Sequence, residues 1–408
     1  MTSIETIIKS QTEQTKSAYF LSLTMANVRC FGEQQTLNLS TSDGRPARWT
    51  ILLGNNGTGK TTLLQALVTS AGQLSESGTQ WSSERYVRAG KELHVDVVVD
   101  AVIRYADSLN ASVGQELRLS LDSMFDTTPL CFAYGASRRM DDGQLSGNNE
   151  TGPCGSLFND GAPLRNAEEW LLQLDYSASK AKVRSAEAKR WKARLDQVQN
   201  ILIDLLPDIS GIRFKSPGKS RPMPRVEFKT SFGWVPLREI AYGYQSLIAW
   251  TVDLASRLVE AYPESDDPLA EPAVVLIDEI DLHLHPSWQR DLLKFLTEKF
   301  SNTQFIATAH SPLVVQAAPT VDANLALLER QDDQVIIRND LESVRGWRID
   351  QVLASDLYQT STRTDDIQSL INERRRLLGK SKLTKEDKLR LESLGTEIGE
   401  LPTGESPD

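Results

Sequence analysis

The feature that most constrains this chain is the run Gly54-Asn55-Asn56-Gly57-Thr58-Gly59-Lys60-Thr61, with Thr62 directly behind it. It is a full G-x-x-x-x-G-K-[ST] phosphate loop. The apolar segment RWTILLG before it reads as a strand, and TTLLQALVTSAG after it reads as a helix stopped at Gly72. The motif needs that setting, because turn amides and a helix N-terminus together cradle anionic oxygens. Lys60 is placed to reach β- and γ-phosphates, and the Thr61 hydroxyl to sit on Mg2+. The expected ligand is therefore ATP with Mg2+, on an α/β P-loop NTPase fold.

Three further segments carry chemistry. Val274-Val275-Leu276-Ile277 is a buried-type strand that ends in two carboxylates, Asp278 and Glu279. In an open parallel sheet that end faces the ligand crevice, which places Asp278 for the metal shell and Glu279 to polarise an attacking water. A second such strand, Phe305-Ile306-Ala307-Thr308, leads to His310, whose imidazole can donate a hydrogen bond to a γ-phosphate oxygen. The segment Ala241-Tyr242-Gly243-Tyr244-Gln245 opens a helix whose N-terminus could meet another molecule's phosphate, although alone it is an ordinary loop-to-helix transition.

Composition sets the limits. The chain has 408 residues, enough for two or three domain-sized units, with 40% hydrophobic and 25% charged residues, so it is neither disordered nor short of core. Its net charge of −10 excludes nucleic-acid binding through bulk charge. Between Lys180 and Lys229, however, stand 13 Lys/Arg against 5 Asp/Glu, together with Trp191 and Phe214. This local patch suits phosphate-backbone contacts or simply a solvated helix face. The chain shows no membrane-length apolar run and no signal-peptide core, so a soluble cytoplasmic protein is expected. Cys30, Cys131 and Cys154 fit no disulfide framework, and four histidines leave little room for zinc.

Along the chain four regions are expected: an N-terminal lobe (1–140) with the phosphate loop, a loop, helical insertion and hairpin (141–235), a second lobe (236–345) and a helical tail (346–408). The Gly/Asn/Asp/Ser-rich stretch 140–163 reads as a mobile loop, and 165–206 as one long helix or two shorter ones.

Taken in order, these motifs resemble the ATP-binding-cassette head of the SMC-like and OLD-like ATPases over roughly residues 18–345. ANVRCFGEQQTLNLS is similar to that family's opening strand and turn, IAYGYQSLIAW to its signature segment, and DEIDLHLHPSWQ to its Walker B and D-loop. The resemblance implies a mixed/parallel sheet with a helical insertion and tail, and it brings Arg29 toward the nucleotide. It also implies two heads closing over two ATP molecules, each site joining one chain's phosphate loop to the other's residues 241–245. Ala241 stands where the family usually has serine, which implies slow turnover. No glutamine can be placed for the loop that usually senses Mg2+; AYGASRR occupies that region, and its Arg138 and Arg139 are the nearest candidates. DEIDLHLHP and the long insertion before Gly243 argue against a transporter subunit. The tail, VRGWRIDQVLASDLY onward, looks like the defence ATPases of Septu and retron operons, which work beside a separate HNH nuclease. OLD proteins carry their own nuclease, but no glutamate plus Asp-x-Asp cluster follows His310, so a nuclease would come from a partner. The alternatives are a RecF-like DNA-repair clamp and a nucleotide-dependent scaffold that barely hydrolyses ATP.

Overall fold

The computed structural model describes residues 17–72, 88, 98–106, 108–110, 115–120, 129–141, 152–180, 185–206, 208–218, 223–341, 343–358, 365–380 and 384–399. The first lobe contains strands β1 (Ala18–Ala26), β2 (Gln35–Asn38) and β3 (Trp49–Gly54), helix α1 (Lys60–Ser70), and strands β4 (Val98–Tyr105), β5 (Gln115–Ser120) and β6 (Cys131–Tyr134). Helices α2 (Gly155–Phe158), α3 (Ala167–Lys180) and α4 (Ala186–Leu205) follow, then strands β7 (Ile212–Lys215), β8 (Arg225–Thr230) and β9 (Gly233–Pro236). Next come α5 (Tyr242–Ala261), β10 (Ala273–Ile277), α6 (Pro286–Lys299), β11 (Thr303–Thr308), α7 (Pro312–Ala317), β12 (Asn324–Gln331) and β13 (Gln334–Arg338). The last helices are α8 (Ile349–Ala354), α9 (Asp365–Leu378) and α10 (Lys385–Gly399).

Runs without alternation cannot sit half-exposed, so they take the middle of the molecule. The residues of β10 and β11 are buried throughout, as are the first five of β3. They lie in a six-stranded sheet of order β13-β12-β3-β11-β10-β6, parallel except for the antiparallel edge strand β13. Its core includes Trp49 stacked on Phe305 with centroids 4.3 Å apart. Helix α1 packs Leu63, Leu64, Leu67 and Val68 into the layer beneath. On the other side of that helix lies an antiparallel sheet, β2-β1-β4-β5, which buries Phe20, Leu23, Met25 and Ile103 in the same core.

One buried amide ties β1 to the central sheet. Gln304 accepts from the Phe20 N–H (2.8 Å) and donates to the carbonyls of Phe20 (2.8 Å) and Ala47 (3.2 Å). Farther along, Asp253 on α5 accepts from Tyr134 Oη (3.0 Å), Arg257 Nε (2.7 Å) and the Arg165 N–H (3.1 Å), so its buried charge is fully engaged.

Residues 165–206 form two helices, one of the two expected arrangements, and Ser185 caps the second by accepting from the Ala188 N–H. Two features depart from the sequence expectations. Of the stretch 140–163, residues 142–151 lie outside the described residues, and 152–163 is only partly loop in character, because α2 packs against β6. There Ser156 Oγ donates to the Ala133 carbonyl (3.2 Å) and Gln65 Nε2 to the Leu157 carbonyl (3.0 Å). Small residues allow that backbone approach, and they also gave the stretch its loop-like composition. The expected hairpin gains a third strand, β7, which pairs antiparallel with β8.

The chain divides into two compact units, 1–346 and 347–408. In the second, α10 begins with the expected reciprocal cap: the Asp387 N–H donates to Thr384 Oγ1 (3.1 Å) and the Thr384 N–H to Asp387 Oδ2 (3.0 Å). Arg390 on α10 pairs with Glu373 on α9 at 2.8 Å. No described helix is long and apolar enough to cross a membrane.

Replacing Gln304 with Leu leaves the Phe20 N–H without its partner inside the core. The expected loss is about 1–3 kcal/mol of unfolding free energy, measured by urea denaturation.

Candidate functional site

Parallel register brings the carboxyl ends of β3, β11 and β10 side by side: Ile277 pairs with Ala307, Ala307 with Ile51 and Thr308 with Leu52. The phosphate loop leaves β3, Asp278 and Glu279 leave β10, and β11 runs between them. The crevice expected beyond these ends is therefore walled by all three motifs.

The loop takes backbone shapes that glycine supplies. Gly54, Gly57 and Gly59 have φ of +142°, +79° and +84°. A methyl group on Gly59 would stand 2.5 Å from Cys30 Sγ, and one on Gly54 2.5 Å from the Leu328 carbonyl, whereas Gly57 faces open space. Thr58 Oγ1 braces the turn by donating to the Asn55 carbonyl at 2.8 Å. The buried Lys60 donates to the carbonyls of Gly54 (2.7 Å) and Asn55 (3.1 Å), crossing its own loop. Burial holds its pKa below the usual lysine range, opposed by Asp278, Glu279 and Asp281. A buried ammonium beside left-handed glycine amides suits a polyphosphate.

Asp278 is the meeting point. Its Oδ2 accepts from Thr61 Oγ1 and its Oδ1 from Thr308 Oγ1, both at 2.6 Å. The two residues expected to hold Mg2+ are thus in direct contact. Their hydroxyl and carboxylate oxygens form the hard donor set that Mg2+ takes, so the residues present fit the ion. The Thr308 hydroxyl also accepts from the Glu279 N–H at 2.6 Å. Glu279 has φ +51°, a left-handed conformation that is uncommon for a non-glycine residue.

Two residues to which the four motifs assign no role belong to this site, one of them an arginine already expected near the Mg2+-sensing loop position. Thr308 is one. It was hidden inside an apolar strand, and only the β10–β11 register shows which carboxylate it meets. The other is Arg138, from the AYGASRR segment. Its guanidinium is buried at 3% exposure and donates through Nη2 to the Glu279 carbonyl. Burial lowers its pKa to about 10, opposed by Asp278, Asp281 and Glu279, so it stays cationic at neutral pH.

The remaining expected residues are placed as follows. His310 is exposed, and its backbone N–H donates to Asp281 Oδ2 at 3.1 Å. Arg29, with φ +47°, leans on α1, where Nη1 donates to Thr62 Oγ1 at 3.1 Å. Ala241 is the N-cap of α5, and the Gln245 N–H donates to its carbonyl at 3.1 Å. Gly243 lies so near the D-loop that a methyl group would stand 2.5 Å from the His283 carbonyl. Tyr242 meets the His283 ring edge-on at 5.1 Å, and Tyr244 tilts over Trp288 at 4.7 Å. Within one chain, residues 241–245 therefore pack on the segment that follows Asp278 and Glu279 and not on the phosphate loop. Ala241 and Tyr242 remain exposed.

The Lys180–Lys229 patch is partly neutralised. Arg190 pairs with Glu264 (2.8 Å), and Arg213 and Arg225 both engage Glu227 (2.5 and 2.6 Å). Arg194 donates to the Pro263 carbonyl and sits over the Trp191 ring at 5.1 Å. Lys182, Arg184, Lys219 and Arg221 lie outside the described residues, as do Leu401–Gly404 of the tail.

Residues 156–316 match a family described as "AAA domain, putative AbiEii toxin, Type IV TA system", and residues 22–105 match a second AAA domain. The chain is 25% identical over 349 residues to a Septu protein PtuA of Bacillus mycoides (strain KBAB4), covering 82% of this chain and 44% of that protein. It is 30% identical over 200 residues to the "Retron Ec83 probable ATPase" of Escherichia coli, covering 48% and 34% respectively. Over 81 residues it is 46% identical to the "Retron Vc95 probable ATPase" of Vibrio cholerae, covering 20% and 16%. It thus spans less than half the length of these curated relatives. Among solved structures it is similar to an Smc head bound to the C-terminal winged-helix domain of ScpA, with TM-score 0.44 and 16% identity, covering 79% of this chain and 98% of that one.

The close approach at Gly59 can be separated from backbone strain alone. Gly44 has a similar φ of +77° with nothing within 4 Å of an added methyl group. Gly44→Ala is expected to lower stability by about 1 kcal/mol. Gly59→Ala is expected to lower it by clearly more, because Cys30 and Phe31 must also move. Chemical denaturation of the two variants in parallel makes the comparison.

Proposed function

We propose that this AAA-type P-loop chain, of the SMC-like and OLD-like kind, is an ATPase that pairs with a second copy on binding ATP and couples its nucleotide state to a defence response. The observation that carries the reading is the 2.6 Å contact between Thr61 and Asp278, which joins the phosphate loop to the carboxylate pair across the intervening strand. Residues 54–61 would hold the polyphosphate, with Lys60 compensating its charge, and Thr61 and Asp278 would hold Mg2+. Bound Mg2+ supplies Lewis-acid polarisation of the phosphate oxygens.

Glu279 stands one residue beyond the metal-binding carboxylate, where its side chain can orient a water and accept its proton. His310, exposed at the end of β11, can donate to a terminal phosphate oxygen from the opposite wall. Residues 241–245 pack on His283 and Trp288 of their own chain, which supports a role for them in completing the site of another copy. The exposed Ala241 and Tyr242 leave that face open to one. Ala241 offers no hydroxyl to a phosphate, which favours slow turnover.

The relatives are named for Septu and retron systems, which supports a defence role. A separate nuclease of the HNH type as effector, in a cytoplasmic setting, is part of the same proposal. Nucleic acid would meet the cations of the Lys180–Lys229 region, Lys189, Lys192, Lys215 and Lys229 among them, which form no ion pair among the described residues, with strong salt dependence.

Two variants test the assignment. Lys60→Ala is expected to lose nucleotide binding, read by titration with a fluorescent ATP analogue. Glu279→Gln is expected to bind ATP normally, to lose at least about 100-fold in hydrolysis, and to accumulate as an ATP-bound dimer in light scattering. Normal turnover by Glu279→Gln would remove Glu279 from the reaction, and a monomer in saturating ATP would refute the paired site.

A further inference from the structure

Glu279 is held in an unfavourable backbone conformation by two side chains from elements far apart in the chain. Its N–H donates to Thr308 Oγ1 at 2.6 Å from the end of β11, and its carbonyl accepts from Arg138 Nη2 in the loop after β6. Residue 279 has φ +51°, and Arg138 itself has φ +35°. Two non-glycine residues in the left-handed region, bonded to one another, persist only where the surroundings determine them, and such strain gathers at working sites.

The wider geometry shows what the arrangement is for. Arg138 is 3% exposed, and its Nε is buried without a hydrogen-bond partner, so the guanidinium is placed at the expense of its own satisfaction. It acts on the same three carboxylates as Lys60, namely Asp278, Glu279 and Asp281. A buried cation facing three acids limits their mutual repulsion and lets them converge on one crevice. Thr308 contributes from the other side. Its single hydroxyl hydrogen goes to Asp278 Oδ1 while its oxygen receives the Glu279 N–H, so one hydroxyl sets the spacing of both acids. The Glu279 peptide is thus gripped at both polar groups, which leaves its side-chain torsions as the main freedom of the carboxylate.

We propose that Arg138 and Thr308 form a two-sided clamp on the Glu279 peptide, which makes them positioning residues for hydrolysis and not phosphate ligands. The inference rests on the functional reading above. Within it, the clamp aligns the water-activating carboxylate.

The test compares Arg138→Met, Arg138→Lys, Thr308→Val and Thr308→Ser with the parent. The measurements are steady-state hydrolysis, affinity for a fluorescent ATP analogue, and thermal melting. Arg138→Met and Thr308→Val are expected to lower kcat about 10- to 100-fold, the scale set by misplacing a reacting group by about an ångström. KM and nucleotide affinity should stay within about twofold, because no phosphate contact is lost. Thr308→Ser, which keeps the hydroxyl, is expected to retain most of the activity. Arg138→Lys, which keeps the charge but loses the fork, should fall between the parent and Arg138→Met. Added to Glu279→Gln, Arg138→Met should lower the residual rate no further, since a positioning residue has nothing left to position.

An equal loss in both backgrounds would overturn the clamp, as would a rise in KM and nucleotide Kd matching the fall in rate, or unimpaired turnover in Arg138→Met. If Arg138→Met does not fold, the Thr308→Val and Thr308→Ser pair decides, and equal rates for the two overturn the proposal. A parent protein that binds ATP without hydrolysing it refutes the functional reading and the clamp together. A parent that hydrolyses ATP while its Arg138→Met form is unaffected refutes the clamp alone.

Discussion

Everything in the first unit converges on the Asp278 carboxylate. It ends a strand with no polar side chain, in the middle of a parallel sheet, where an ionised group is tolerated only when its oxygens are occupied. Thr61 and Thr308 occupy one oxygen each at 2.6 Å. Those threonines come from the strands' two neighbouring ends: the helix that follows β3 and the last residue of β11. The strand order therefore does more than close a core. With β11 between β3 and β10, a hydroxyl at its end lies within reach of the carboxylate on its flank, and the phosphate loop opens on the far side.

The same place concentrates charge. Lys60 and Arg138 are both buried cations, and both face Asp278, Glu279 and Asp281. Burial disfavours the charged form of each, and the three carboxylates restore it. Such a cluster stabilises the fold only weakly, because desolvation offsets most of the attraction, and an apolar replacement of the same shape could be as stable. Its presence is better explained by what it can bind. Three acids and two bases in a walled crevice are arranged to exchange partners with a polyanion and a divalent ion without a large net change in charge.

The sequence made the walls of this crevice legible and left much of its interior hidden. The phosphate loop, Asp278, Glu279 and His310 stand in motifs whose spacing is local, and each follows an apolar run that can only be a buried strand. The pairing of Thr61 with Asp278 follows from combining the two motifs. Thr308 could not be read in this way, because its role depends on register between strands and not on its neighbours. Arg138 was visible only as one of two arginines after a turn, and which of them turns inward is decided by tertiary packing. Periodicity likewise marked the helices well, whereas the β12–β13 hairpin and β7 were missed. β7 is only four residues long, too short for its alternation to stand out, and β12 runs Leu325-Ala326-Leu327-Leu328 without alternation before the charged Glu329 and Arg330. The loop-like composition misled over 152–163 for a related reason, while 142–151 lie outside the described residues. Ser156 lies so near β6's end that a methyl group on Gly135 would collide with its carbonyl, and composition does not distinguish a close approach from freedom of movement.

Close approach also explains the antiparallel sheet. Its turn after β1 is folded tightly by bonds from the Asn27 N–H to the Gly32 carbonyl (3.0 Å) and from the Phe31 N–H to the Val28 carbonyl (2.8 Å). This turn presents Cys30 and Phe31 to Gly59 of the phosphate loop, where an added side chain would collide with them, and Arg29 to Thr62 on the first turn of α1. Gln304 then locks β1 to β11, the strand that also carries Thr308. The outer face of the phosphate loop and the inner strand that spaces the two carboxylates are therefore fastened to one another through β1. A displacement of the loop outward would strain the Phe31 contact, and a displacement of β11 would break three buried hydrogen bonds at Gln304. The accessory sheet is thus part of the mechanical frame of the site, and this accounts for a buried glutamine in a strand that otherwise presents an apolar face to the core.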